Sequence, residues 1–126
     1  MKDFRSLQVW NKAHALTLNC YKAMSDFPKS EMYGLTSQIR RSAASVAANI
    51  AEGCGKRGNG DFQRFLGIAT GSASEWNTTF CGARDLGFLD ADQYRSLAAA
   101  VVEIKRMLAS LIIKVERDRR QLNADC

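Results

Sequence analysis

Residues 94–115 read YRSLAAAVVEIKRMLASLIIKV, and within them Tyr94, Leu97, Val101, Ile104, Leu108, Leu111 and Val115 recur at steps of three and four. At about 3.6 residues per turn this spacing stacks all of them on one helical face. A single apolar seam sustained over about six turns is the pattern of left-handed helix packing, and it needs partner helices to cover it.

Working back along the chain, three further segments supply those partners. In the first, Leu7, Trp10, His14, Thr17, Tyr21 and Met24 run beside Val9, Ala13, Leu16, Cys20, Ala23 and Phe27, giving one broad face that ends at Phe27-Pro28. The second is expected to open near Ser30, whose hydroxyl would cap the amides of Met32 or Tyr33, with Glu31 placed well against the helix dipole. Gly53 reads as its left-handed stop, and the stretch Gly53-Cys54-Gly55-Lys56-Arg57-Gly58-Asn59-Gly60 reads as a loop. The third begins around Asp61 and repeats Phe62, Phe65, Ala69, Ser72, Trp76, Thr79, Ala83 and Leu86. Gly87 closes it, and Asp90 is the N-cap candidate of the fourth. No segment alternates like a strand. The sequence therefore predicts an all-α fold, an antiparallel up-and-down four-helix bundle with residues 1–126 as a single domain.

The second helix carries more than a lone bundle requires. Leu35, Ile39, Ala43, Val46 and Ile50 form its apolar face. Next to it lies a stripe of Gln38, Arg41, Ser42, Ser45, Asn49 and Glu52, and the remaining side is Ser37, Arg40, Ala44, Ala48 and Ala51. A solvated face would carry Lys and Glu, so the alanines point to a subunit interface. If the polar stripe is buried its charges need partners, and Glu75 on the third helix is the expected counterpart of Arg41. Gln38, Arg41, Ser45, Asn49, Glu52 and Glu75 are thus read as a structural polar network.

Chemistry is sparse. His14 is the only histidine and is expected to be a hydrogen-bonded packing residue. The glycine-rich stretch lacks the Gly-x-x-x-x-Gly-Lys-Ser/Thr pattern of a phosphate-binding P-loop, and no Glu-x-x-His pair suits a di-metal bundle. Cys20, Cys54, Cys81 and Cys126 contain no Cys-x-x-Cys pair. They read as free thiols of a cytoplasmic protein, with Cys54 in the loop. Glu52 and Glu75 are the one conceivable acid/base pair. A non-catalytic protein without metal or cofactor is expected, and no apolar run is long enough to span a bilayer.

The net charge is +5, and residues 1–64 hold ten Lys/Arg against five Asp/Glu, whereas residues 65–126 hold eight of each. This favours an acidic partner. Lys56, Arg57 and Arg64, together with Arg40, are the candidate contacts to the phosphates of RNA or DNA. Lys114, Arg117, Arg119 and Arg120, interspersed with Glu116 and Asp118, read as a self-paired helix end.

Several segments together resemble a known family: Leu7-Gln8-Val9-Trp10 with Ala13, Phe27-Pro28, Tyr33 to Arg41, Ser45 to Gly53, and Phe65-Leu66-Gly67-Ile68-Ala69 with Gly71-Ser72 and Glu75. This set is similar to the bacterial four-helix-bundle proteins encoded in intervening sequences of 23S rRNA genes, which have the accessory variability determinant of diversity-generating retroelements as a relative. The resemblance implies a homopentameric ring with a basic surface. Through the relative it implies binding of nucleic acid, or a scaffold role beside a reverse transcriptase. The neutral second half of this chain departs from the family's more continuous basic surface.

Overall fold

The computed structural model describes residues 3–125, and side chains as far as Leu122, so Cys126 lies outside the described residues. Four α-helices account for most of it: α1 (Gln8–Met24), α2 (Leu35–Cys54), α3 (Asn59–Asp85) and α4 (Ala91–Asp125). Single 3-10 turns at Phe4–Ser6 and Lys29–Glu31 precede α1 and α2. No strand occurs among the described residues. α1 packs on α2 and α4, and α3 packs on the same two helices, so the order around the bundle follows the chain.

The α4 seam is seated as its spacing predicts, with Leu97, Val101, Ile104, Leu108 and Val115 buried and Tyr94 and Leu111 at its margins. On α1 the core is the run Val9, Ala13, Leu16, Cys20 and Met24. The parallel run through Trp10, His14 and Tyr21 turns outward instead. His14 stacks on the Trp10 ring at 5.0 Å, is exposed, and makes no hydrogen bond, contrary to its expected packing role. On α3 the core is Phe62, Leu66, Ala69, Ala73, Trp76, Phe80 and Ala83, which leaves Phe65 and Ser72 half-buried and Leu86 exposed. Trp76 is fully buried, and its indole lies towards Cys20 on α1, where burial pushes the thiol up to about 11.

Helix ends differ from expectation in two places. Ser30 does not open α2; the chain makes the 3-10 turn there, and α2 starts at Leu35, whose N–H donates to Glu31 Oε2 at 3.3 Å. Glu31, not Ser30, therefore supplies the acceptor. Gly53 is no stop either. α2 continues through it to Cys54 and α3 starts at Asn59, leaving only Gly55–Gly58 between them, and Cys54 is buried in the helix rather than placed in a loop. The reason is close approach: a Cβ on Gly53 would lie 2.9 Å from the Phe62 ring and 3.0 Å from Phe65 Cβ. The left-handed residue is Gly87, with φ of 83°, which turns the chain out of α3. Asp90 then caps α4 reciprocally: Gln93 N–H donates to Asp90 Oδ1 at 2.7 Å and Asp90 N–H donates to Gln93 Oε1 at 3.0 Å.

Candidate nucleic-acid interface

The bundle has two unlike ends. One holds the Gly55–Gly58 connection, the first turn of α3 and the last turns of α4, which run on past the start of α1. Here it is termed the loop end. The other holds residues 25–34 and 86–90, where the Phe27 and Phe88 rings meet at 5.6 Å.

At the loop end two predicted cations gather on one ring. The Lys56 ammonium lies 5.4 Å from the centroid of Phe65 and the Arg64 guanidinium 4.5 Å from it. The core spacing of α3 runs through 62, 66 and 69, so Phe65 falls one step to the side, half-buried on the flank towards α2. Each cation also has a carboxylate nearby, Glu52 at 3.2 Å from Lys56 and Asp61 at 3.9 Å from Arg64. These pairs are largely exposed and weak, so an incoming phosphate competes with them easily. Arg57, exposed in the connection, makes no ion pair among the described residues.

Arg40 does not join this group. It lies fourteen residues before the end of α2, about 21 Å along the axis, with its guanidinium 5.3 Å from the Tyr21 ring. Its surroundings are the outer side of α1 and α2, where Ala44, Ala48 and Leu18 are also exposed.

The polar network divides into pieces. Ser45 and Ser72 share a hydroxyl–hydroxyl hydrogen bond of 2.7 Å, and Asn49 Nδ2 donates to the Ser45 carbonyl at 2.7 Å and to its hydroxyl at 3.0 Å. Arg41 and Glu75 stand 3.7 Å apart on the surface of the single chain rather than within it. Gln38 is exposed, Glu52 turns to Lys56, and Ser42 is buried with its hydroxyl unpartnered. Glu52 and Glu75 are thus held apart, each by its own cation, and do not form an acid/base pair.

Sequence reasoning missed the contribution of α4. Arg119 donates to Gln63 Oε1 at 3.3 Å across the helices, and Glu116 meets Arg120 at 3.0 Å and Arg119 at 3.8 Å. The Gln63 carboxamide, followed by Arg120, holds the Glu116 carboxyl below its ordinary range. Lys114 and Arg117 are exposed and carry no ion pair among the described residues. The interspersed acids suggested full self-pairing; helical geometry lets Glu116 reach only the residues three and four ahead.

Among the described residues no cluster of His, Cys, Asp and Glu is arranged to hold a metal ion, and Cys20 and Cys81 are free thiols. Among the described residues no helix is long and apolar enough to cross a membrane.

The family model described as 23S rRNA-intervening sequence protein matches residues 5–110. The fold is similar to the crystal structure of a protein with unknown function from the S23 ribosomal protein family of Bacteroides thetaiotaomicron. The two share 26% sequence identity with a TM-score of 0.74, over 82% of this chain and 97% of that one. No curated protein matches the chain.

Proposed function

Because the chain belongs to the 23S rRNA-intervening sequence protein family, we propose that it acts as a non-catalytic, oligomeric nucleic-acid-binding protein of the cytoplasm. The observation that carries this reading is the gathering of Lys56 and Arg64 on Phe65 beside the exposed Arg57. The cations meet phosphates of RNA or DNA without reading sequence, and the ring offers a nucleobase an apolar edge or face. Three such charges bind weakly, so assembly matters: copies held together present the same site repeatedly and multiply the affinity.

A homo-oligomer, with a pentamer as the expected form, is supported by the outer side of α1 and α2. Leu18 is 53% and Tyr21 45% exposed there, next to the exposed Ala44 and Ala48. Apolar groups without a solvating fringe of Lys and Glu suit contact with another surface. That face also favours a second reading, a scaffold subunit that seats a protein such as a reverse transcriptase. Recovery of such a partner by affinity purification after nuclease treatment is its test.

The first reading is tested by titrating labelled RNA and DNA with the intact assembly over a range of salt. Binding that weakens steeply as salt rises is expected, since phosphate contacts release counterions. An intact oligomer that binds neither nucleic acid at low salt overturns it.

A further inference from the structure

Gln63 on α3 and the last turns of α4 enclose an open groove of about 560 Å³. Its floor is Ile112 and Ile113, and Ile113 is 59% exposed. Arg117 and Arg120 stand at its rim and the carboxamides of Gln63 and Gln121 line it. Glu116 lies in the same groove, but Arg119 and Arg120 both meet its carboxylate, and among the described residues Arg117 makes no ion pair. The family match stops at residue 110, so every α4 residue of this groove lies beyond it.

Resting on the nucleic-acid reading above, we propose that this groove is a second contact site for the same strand, and that the nucleic acid bound there is single-stranded. Charge complementarity commits the groove to a polyanion, and position ties it to the first site. Residues 63, 64 and 65 follow one another at about 100° around α3, so Arg64 faces outward between the groove on the Gln63 side and the Phe65 ring on the other. A strand that leaves Lys56 and Phe65 crosses Arg64 over about one helix diameter, 10–12 Å, and reaches Arg117 and Arg120 on α4, whose axis lies about 8–10 Å beyond that of α3.

The floor decides between single strand and duplex. A duplex keeps its bases stacked inside and would offer this groove only phosphates, leaving Ile112 and Ile113 wet. An unpaired base covers the isoleucines with its apolar face, while the flanking phosphates meet the guanidinium groups.

Fluorescence anisotropy with an oligouridylate of about 15 nucleotides and a duplex RNA of equal length tests this on the full chain. The wild type is expected to bind the single strand about tenfold more tightly than the duplex. The double variant Arg117→Ala/Arg120→Ala should lose about tenfold, with the salt slope reduced by about 0.7 for each phosphate contact removed. Ile113→Ser should lose a few-fold with the slope unchanged, because it removes apolar cover and no charge. All substituted positions are exposed or at a groove, and circular dichroism and particle mass check fold and assembly. Unchanged affinity in both variants overturns the inference, as does duplex binding as tight as single-strand binding. A change of particle mass in Ile113→Ser makes the groove a contact between copies and also overturns it. Loss on Lys56→Ala/Arg57→Ala with full binding in the groove variants removes the second site alone. A wild type that binds no nucleic acid removes both readings.

Discussion

The two ends of the bundle handle charge in opposite ways. At the end where Phe27 meets Phe88, the acids Asp26, Glu31, Asp85, Asp90 and Asp92 outnumber the cations Lys22, Lys29, Arg84 and Arg95, with Arg84 paired to Asp85 at 3.1 Å and Arg95 to Asp92. Asp90 there is consumed in capping α4. At the loop end the acids are fewer than the cations, and among the described residues Arg57, Lys114 and Arg117 make no ion pair. Net charge alone says little about where a polyanion binds. What matters is the local balance of cations against acids, and here the excess of cations lies at the loop end.

The strongest way to break this contrast is to strip the loop end. Lys56→Ala/Arg57→Ala/Arg64→Ala is expected to weaken binding of labelled RNA about a hundredfold, near 2.7 kcal/mol, while Arg84→Ala/Arg95→Ala at the other end leaves it within about twofold. Equal losses from the two variants in anisotropy titrations would reduce the effect to overall charge.

Gly53→Ala probes the same end through packing. In most helices Ala in place of Gly stabilises by up to about 1 kcal/mol. Here the new methyl meets the Phe62 ring at 2.9 Å, so the sign should invert to a loss of about 1–3 kcal/mol in urea unfolding. Since Phe65 Cβ is the next neighbour at 3.0 Å, the platform should shift too, and binding should fall with stability.

The smallest effect belongs to the opposite end. Asp90→Ala removes the acceptor for the Gln93 N–H and should cost about 1 kcal/mol by thermal or urea unfolding, with RNA binding unchanged. A binding defect in that variant would mean that the ends are coupled rather than separate.

Much of this was legible in the residues. The α4 seam, the Asp90 cap, the Gly87 turn and the number of helices follow from spacing and from residues with one strong local preference. The boundaries of α2 did not, for a physical reason: a glycine can mark either a turn or a close approach, and only the partner helix tells which. Gly53 turned out to face Phe62, and Ser30 lost its capping role because the backbone of Lys29–Glu31 satisfied itself in a 3-10 turn. For the site, the sequence named Lys56, Arg57 and Arg64 by composition alone. It could not place Arg40 far from them, and it assigned Phe65 to the core because a one-step offset on a helix is invisible without the true register. Arg117 was hidden among acids that geometry lets reach only its neighbours.

The short connection at Gly55–Gly58 also bears on how the chain reaches this structure. α2 and α3 share the closest seam of the bundle, and only these few residues must close for it to form. Loop-closure entropy rises with the length closed, whereas bringing α1 onto α4 requires ordering nearly the whole chain. The α2–α3 hairpin is therefore the natural nucleus: substitutions in its seam, such as Ala73→Gly, should slow folding, while truncations on the α1–α4 side should chiefly speed unfolding. The same four-residue link that exposes Lys56 and Arg57 to a ligand would then be the first part of the molecule to take its final shape.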